Sequence, residues 1–577
     1  MKIRKVWVDN FRNLNNLTIE FHELSNYLIG ENNLGKSNFL DILNCVFNGK
    51  KFEDEDFCSS EKSIEVRVTL HLNEFEKGFF GDNFSPEDSS NLTILYKQGI
   101  NDSFPTVTCV DTDETIPIKQ LRKLHYFRYA STAVPTKELK IDSANAAGKV
   151  FNGIANMYLQ DETHDTTFLH KENVAELANY INERLSKIKG FSQYGIKATV
   201  ADNCTEMLSS LFFLSDDTRR IETTGSGIQY IAMITLNIVS QILSIYNNKA
   251  TKFEEQLYTN GEGNKILPIV VALDEPEVHL HPYLQRSLIT YYKSILLNKD
   301  NDFLRLLNDC FDIDGLDGQL LIVTHSSDIL VDDYRNIIRF FKQDHLTQVV
   351  SANAFAKHFD KNVNKQLVMH FHELREAFYA HCVILVEGET EYGCLPYFAE
   401  KIGVSLDDHC ISVIMARGEN SIKPLKKLLG YFKIPSVSIY DGDVKTKRVS
   451  DDGINFFTSE LCFELEVIKS LYSKGQTELI KTIAVEMNKQ ADNLVLDSDF
   501  VKSGFKYLKL PLDEYTPKKL ADVDETDESE FCNIYAVWFM KYKGVISGRI
   551  VGYDVPSDCI PLCYSSAINK ALEMSVQ

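Results

Sequence analysis

The sequence predicts an α/β chain in two parts: an N-terminal α/β region interrupted by helices, then a C-terminal parallel α/β region. Three observations predict it. A short apolar strand (NYLIG) runs straight into GENNLGKS and then into the helical pattern FLDILNCVF. A second apolar strand, ILPIVVALDE (266–275), ends in two acids. Far downstream, VILVEGETE (383–391) brings Glu387 and Glu391 to a strand end and SIYDGD (438–443) brings Asp441 and Asp443.

The chain as a whole sets wide limits. Its 577 residues suggest about three domains. An apolar fraction of 44% and a charged fraction of 25% are ordinary for a globular protein. Sixty-one basic against 82 acidic residues leave a net charge of −21, so any nucleic-acid contact must use concentrated positive charge or bound cations. None of the 12 cysteines forms a CxxC pair, which excludes zinc-ribbon and thioredoxin readings and predicts free thiols in a reducing cytoplasm. The N-terminal stretch MKIRKVWVDNFRNLNN has no apolar signal core. The uncharged stretch Thr223–Asn248 is interrupted by Gln229, Asn237 and Gln241, which fits a buried core helix better than a membrane span.

Taken in order, KIRKVWVDNFRN, LTIEF and NYLIG alternate as short strands. Residues 63–72 and 92–97 alternate again, predicting an antiparallel sheet beside the first. Residues 138–215 change to helical spacing and read as a helical insertion. Strands return at 266–275 and 319–325. QLVMHFHELREAFYA (366–380) predicts a helix leading into VILVEGETE. Strand and helix then alternate to about residue 470. The segment 471–530 is polar and acidic, and FCNIYAVWFMKYKG (531–544) is expected to close the last helix. The boundaries expected are 1–137, 138–215, 216–365 and 366–577.

Gly30-Glu31-Asn32-Asn33-Leu34-Gly35-Lys36-Ser37 satisfies GxxxxGK[ST] between a strand and a helix. Its glycines let backbone N–H groups turn inward around phosphate oxygens. Lys36 adds a point charge at the β/γ-phosphates, and the Ser37 hydroxyl can ligate Mg²⁺. The loop calls for an acid at another strand end. Asp274 fits the Mg²⁺ shell and Glu275 can orient or deprotonate the attacking water. His325 follows the strand QLLIVT, where an imidazole reaches a γ-phosphate. Thr224-Gly225-Ser226-Gly227-Ile228-Gln229 opens the long apolar helix with N–H groups free to face an anion.

In this order the residues resemble the ABC-type ATPases of the RecF and SMC-like branch, and EPEVHLHP after Asp274 looks like that branch's EPExxLHP. The resemblance implies a head-to-head dimer in which Ser226 and Gly227 act on the partner's nucleotide. It departs from the branch in two ways: GSGIQ is not a full LSGGQ, and no Gln loop is placed.

Glu387 and Glu391 follow the strand VILV, and Asp441 and Asp443 follow SIY two residues apart. Four acids gathered at the C-terminal edge of a parallel sheet repel one another. Hard oxygen ligands of this kind suit Mg²⁺ or Mn²⁺. Two such ions about 4 Å apart support phosphodiester cleavage. An EGxxE pair alone is an ordinary helix start; the second acid pair makes it a metal-site candidate. Lys423, Lys426 and Lys427, with Lys445, Lys447 and Arg448, supply candidate backbone contacts for nucleic acid.

This second region resembles the Toprim domain. The pairing of an ABC-type ATPase head with a C-terminal Toprim domain resembles the OLD family (overcoming lysogenisation defect), which includes the nuclease subunit of Gabija-type defence systems. The resemblance implies an ATPase head with a helical dimerisation insert, one Mg²⁺ with ATP and two ions at the Toprim site. It implies a DNA endonuclease acting in antiviral defence. The expected assembly is a homodimer or larger even oligomer, and a second subunit (helicase-like, or a reverse transcriptase with its DNA product) is a candidate partner. It also implies a further acid and a lysine downstream. In FFTSELCFELEVI (456–468) Glu464 is the choice and Glu466 the alternative, and KYKGVISGR (541–549) offers Lys543. Two other readings stay open: a RecF-branch repair or recombination factor, and a nucleotide-sensing scaffold that does not cleave.

Overall fold

The computed structural model describes residues 1–81, 88–129, 135–142, 145–160, 171–200, 212–216, 219–248, 252–278, 280–331, 334–355, 359–444, 453–489, 491, 495, 498–509 and 518–576. The chain divides into two compact units, Met1–Ala356 and Lys357–Gln577.

In the first unit an antiparallel sheet runs in the order Leu17–Glu20, Lys2–Asp9, Ile64–His71, Asn91–Gln98, Thr106–Cys109. Its strands alternate buried and outward residues, as in Ile64–His71, because one face packs on the core. The second sheet has seven strands. Lys265–Asp274 pairs in parallel with Gly315–Val323 on one side and with His125–Tyr129 on the other. Ser25–Ile29 lies between Gly315–Val323 and Ile337–Gln343, parallel to both. Nine of the ten residues of Lys265–Asp274 are buried, the continuous apolar run that a parallel strand covered on both faces requires. Gln319, fully buried, ties the sheets together. Its Oε1 accepts from the Ile3 amide and its Nε2 donates to the Ile3 carbonyl, both at 2.9 Å. The parallel order puts the ends of Ser25–Ile29, Lys265–Asp274 and Gly315–Val323 at one edge.

Within 138–215 the described residues form the helices Ala146–Gln160, Lys171–Leu185 and Lys189–Tyr194, and the two strands Lys197–Val200 and Phe212–Ser215 pair antiparallel. Ser226–Tyr246 is one helix; its stretch from Gly227 is long and apolar enough to cross a membrane by composition, yet 71% of that stretch is buried inside the unit.

The second unit is built on a four-stranded parallel sheet in the order Ile411–Met415, Cys382–Val386, Ser436–Tyr440, Asn455–Phe457. The first strand in sequence is therefore central, and the next two flank it on opposite sides. That is a topological switch point, where parallel sheets open a crevice at the strands' C-terminal ends. Helix Lys361–Ala377 leads into the sheet. The chain does not finish at 544: Glu528–Lys541 is followed by Val545–Asp554 and Leu562–Ser575. The buried face of Val545–Asp554 consists of Ser547, Gly548, Val551 and Gly552, while Ile546 and Tyr553 are exposed. Its apolar pattern is thus inverted, and hydrophobic periodicity does not reveal it.

Those glycines let two helices meet closely. A Cβ on Gly393, in Glu389–Lys401, would stand 2.3 Å from the Val545 carbonyl oxygen, and one on Gly548 would stand 2.1 Å from that of Thr390. One on Gly552 would meet the Cys394 oxygen at 2.9 Å. The matched order of these contacts makes the helices run parallel, with both N-termini at the same end.

Candidate functional site

The loop after Ser25–Ile29 has the backbone its sequence calls for. Gly30, Asn33 and Gly35 all have positive φ (136°, 63° and 90°). A Cβ on Gly30 would clash with the Phe340 carbonyl oxygen at 2.2 Å, and one on Gly35 with Asn13 at 2.6 Å. Lys36 Nζ donates back to the Gly30 carbonyl at 2.8 Å and the Glu31 carbonyl at 2.5 Å. Burial pulls its ammonium down to about 8 against the charges of Glu275 and Asp274. Ser37 Oγ donates to Asp274 Oδ1 at 2.9 Å, so the two expected Mg²⁺-shell groups already touch.

Glu275 sits at φ 50°, its amide on the Val323 carbonyl at 2.9 Å, and its Oε1 lies 3.5 Å from His325 Nε2. Burial, reinforced by the Lys36 charge, pushes the His325 imidazole below its ordinary range, keeping it neutral. Helix Ser226–Tyr246 opens at Ser226-Gly227, and Gln229 Nε2 donates to the Glu222 and Thr224 carbonyls at 3.1 and 2.9 Å. The Ser226 side chain and His279 lie outside the described residues.

Sequence reasoning missed four residues here. Arg128 Nη2 reaches Asp274 Oδ2 at 3.2 Å and the same guanidinium pairs with Asp41. Glu277 Oε1 accepts the His325 amide at 2.7 Å. Asn13 Nδ2 donates to the Asn33 carbonyl at 3.1 Å, and Arg12 Nη1 donates to Asn38 at 2.7 Å. Glu277 stands in the segment EPEVHLHP, which could have pointed to it; the others carry no local signal.

In the second unit the strand ends meet. Glu387 Oε1 accepts the Asp441 amide at 3.0 Å. Asp441 Oδ1 accepts the Phe463 amide at 3.1 Å, which brings in the first turn of helix Phe463–Ser473. Glu464, in that turn, is 1% exposed, and its Oε2 lies 3.2 Å from Lys543 Nζ without hydrogen-bond geometry. Glu466 turns elsewhere: its Oε2 accepts the Glu460 amide at 2.7 Å. Glu391 is buried in the first turn of its helix. Gly388 has an extended φ of −129°, so no sharp turn demands it. A Cβ there would stand 2.8 Å from Glu391 Oε2, so the glycine makes room for that carboxylate. Gly442, between the two aspartates, lies against the Glu460 carbonyl and donates its amide to Thr458 Oγ1 at 2.7 Å. Asp443 follows in the same turn. Beyond Ile411–Met415, Arg417 and Gly418 take positive φ (57° and 115°), and the Gly418 amide donates to the Glu387 carbonyl at 3.0 Å.

Burial pushes the Glu387 carboxyl up to about 7, with Asp443 adding to the shift. Burial and then the Glu464 charge raise Glu391. Burial, then Glu391, Glu387 and Glu464, raise Asp441. Lys543 lowers all three, and it is half exposed. Burial would lower the Lys543 ammonium, but Glu464 and its neighbours outweigh it. The donor set suits a hard divalent cation: carboxylates only, mostly buried, mutually repelling, one oxygen of Glu464 without a hydrogen bond. As they stand, no three ligating side chains among the described residues converge on one point. Glu387 and Asp441 each spend an oxygen on a backbone amide.

Beside the crevice a groove of about 610 Å³ is lined by Glu419, Lys423, Lys427, Tyr440 and Val444 among others. Lys427 pairs with Asp360 at 3.0 Å, and Lys426 Nζ donates to Asn455 at 2.7 Å. Lys445, Lys447 and Arg448 lie outside the described residues.

Comparisons with known proteins match both units. Residues 1–117 and 114–330 match the AAA ATPase domain family, and residues 378–443 match the "overcoming lysogenization defect protein-like, TOPRIM domain" family. Endonuclease GajA of Bacillus cereus (strain HuB5-5) is 25% identical over 464 residues, 73% of this chain and 61% of that protein. The chain thus spans under two thirds of that relative's length. Among solved structures, the SMC head domain from Thermotoga maritima is 14% identical over 61% of this chain and 99% of its own, with a TM-score of 0.30. The C-terminal region of the Xanthomonas campestris pv. campestris OLD protein is 20% identical over 35% of this chain and 96% of its own, with a TM-score of 0.25.

Proposed function

The chain belongs to the AAA ATPase domain family and joins that ATPase to an OLD-like Toprim domain, and from that pairing we propose a divalent-metal-dependent DNA endonuclease controlled by nucleotide binding. What supports the reading is that Glu387, Asp441 and the helical turn carrying Glu464 are linked by hydrogen bonds at the C-terminal end of the parallel sheet, with Glu391 close enough for its charge to raise the Asp441 carboxyl. ATPase and Toprim domains use nucleotide and divalent metal.

Glu387, Glu391, Asp441, Asp443 and Glu464 would hold Mg²⁺ or Mn²⁺ at this site. Metal ions bound there would activate a water and take charge from the leaving oxygen. Glu387 and Asp441 would turn the oxygens now on amides toward the cation. Lys543 would face the scissile phosphate, its charge set against the acids until DNA arrives. Lys423 and the neighbouring groove would carry the phosphate backbone.

In the ATPase unit, Gly30, Asn33, Gly35 and Lys36 would cradle the phosphates, and Ser37 and Asp274 would hold the nucleotide's Mg²⁺. Glu275 would orient water, and neutral His325 would sense the γ-phosphate. Ser226 and Gly227 would complete a partner's site in a homodimer, with the insert at 138–215 contributing to dimerisation. Nucleotide binding would gate cleavage. The setting proposed is cytoplasmic antiviral defence, the role that the family resemblance of the sequence implies.

Incubating the full chain with plasmid in Mg²⁺ or Mn²⁺, with and without ATP, tests this. Metal-dependent cutting that disappears in Glu391→Ala supports it. Plasmid left intact under every nucleotide and metal condition overturns it, and ATP turnover without cutting points to a repair factor instead.

A further inference from the structure

A cleft of about 830 Å³ opens on the ATPase unit. It is lined by the end of helix Lys36–Asn48, the strand His125–Tyr129 and the C-terminal half of Ser226–Tyr246. His125–Tyr129 pairs with Lys265–Asp274 on one side and has no strand partner on its other side among the described residues. The described lining holds four cations, Lys50, Lys119, Arg122 and Arg128, and no carboxylate, in a chain of net charge −21. That is the reverse of the protein's own balance, and it needs an explanation. Lys50, Lys119 and Arg122 are exposed. Arg122 donates through Nε and Nη2 to the Asn48 carbonyl at 3.2 and 2.8 Å, so it also offsets the negative end of that helix. Two nitrogens of the strand are buried without a hydrogen-bond partner, His125 Nε2 and Arg128 Nε.

We propose that this cleft binds a phosphate-bearing ligand, either a nucleic-acid strand or a free nucleotide, and that its occupant is coupled to the metal–nucleotide site through Arg128. The size is that of a small-ligand pocket, and the lining is what phosphate recognition uses. Arg128 belongs to both places. It lines the cleft, and its guanidinium holds Asp41 and Asp274. Asp274 has both oxygens engaged, Oδ1 by Ser37 and Oδ2 by Arg128. A cation at Asp274 must therefore compete with the guanidinium. A phosphate in the cleft draws Arg128 away and frees Oδ2. Reciprocity then requires each ligand to tighten the other. The coupling rests on Asp274 holding the nucleotide's Mg²⁺, as proposed above, and not on the C-terminal unit.

The test measures binding of a fluorescent ADP analogue with Mg²⁺ to the full chain. It is repeated with a short single-stranded oligodeoxynucleotide and, separately, with AMP. The expected result is analogue binding at least about fivefold tighter with one of the two. Tightening by the oligonucleotide assigns a strand, and tightening by AMP assigns a free nucleotide. AMP entering the phosphate loop instead would weaken the analogue, so the sign separates the sites. Lys50→Glu with Lys119→Glu, both on exposed side chains, should abolish the effect. Arg128→Gln should abolish it too, while the oligonucleotide or AMP still binds. No tightening by either ligand overturns the proposal, as does tightening that survives the paired charge reversals.

Discussion

Lys543 Nζ stands 3.2 Å from Glu464 Oε2, a half-exposed ammonium set against a carboxylate that is 1% exposed. Removing the lysine strands a buried charge. Lys543→Ala is expected to cost the C-terminal unit about 2 kcal/mol, less than a fully buried pair because water reaches the lysine. Pairing it with Glu464→Gln should restore most of that loss. Urea unfolding of the parent and the two variants checks both, and a Lys543→Ala variant as stable as the parent contradicts the pairing.

Gly393 and Gly548 have no space for a methyl group, with backbone oxygens 2.3 and 2.1 Å from the Cβ positions. Gly393→Ala should destabilise by about 1–3 kcal/mol through overpacking. It should also lower cleavage, because Lys543 immediately precedes the displaced helix. Gly430, in helix Glu419–Tyr431, meets nothing within 4 Å. Gly430→Ala should therefore stabilise slightly, by about 0.5–1 kcal/mol. Melting temperatures and plasmid cutting, measured side by side, distinguish the two sites.

The buried acids of the crevice oppose folding when no cation accompanies them. Asp441→Asn is expected to raise the metal-free melting temperature and to erase the gain that the parent shows on adding Mg²⁺ or Mn²⁺. That gain should approach about 2.7 kcal/mol at a hundredfold excess over the dissociation constant. Calorimetry with and without chelator reads it. An equal metal-dependent gain in the variant would remove Asp441 from the ligand set.

Glu277 fixes His325 through its amide at 2.7 Å. Glu277→Ala should slow ATP turnover about tenfold, the weight of one charge-assisted hydrogen bond, while nucleotide affinity changes little. Glu277→Gln keeps an acceptor and should lie between. Turnover and affinity measured together separate a positioning role from a binding one.

His125 is pushed down to about 3, by burial first and by Lys123 second. The native state then stays unprotonated where the unfolded chain, titrating near its ordinary value of 6.5, takes up a proton. Stability from this group is complete above about pH 6.5 and is lost as pH falls toward the native value. Between pH 7.5 and 5 the loss is about 2 kcal/mol. His125→Gln should flatten that part of the pH profile of the ATPase unit's melting temperature. A profile unchanged by the substitution would mean the imidazole titrates normally.

Much of this architecture is legible in the sequence because its signals are local. The loop at 30–37 needs only eight adjacent residues, and VILVEGETE and SIYDGD each announce a strand end within nine. Geometry across the chain is not local. Arg128 and Asp274 are 146 residues apart, and nothing near either predicts the other. The choice between Glu464 and Glu466 depends on which face of one helical turn meets Lys543. Gly388 owes its place to packing against Glu391, a contact that its neighbours in the sequence do not announce. Helix Val545–Asp554 escapes periodicity because glycine, not a large apolar residue, forms its buried face.

Three glycines in two helices some hundred and fifty residues apart in sequence interlock like the teeth of a zip. The strand-end acids therefore cannot be lifted out as a cassette. A shuffled gene that carried residues 378–443 into another host protein would bring the carboxylates but leave behind the wall that seats their counter-charge. Inheritance of this chemistry must follow the fold's far end as strictly as its motif.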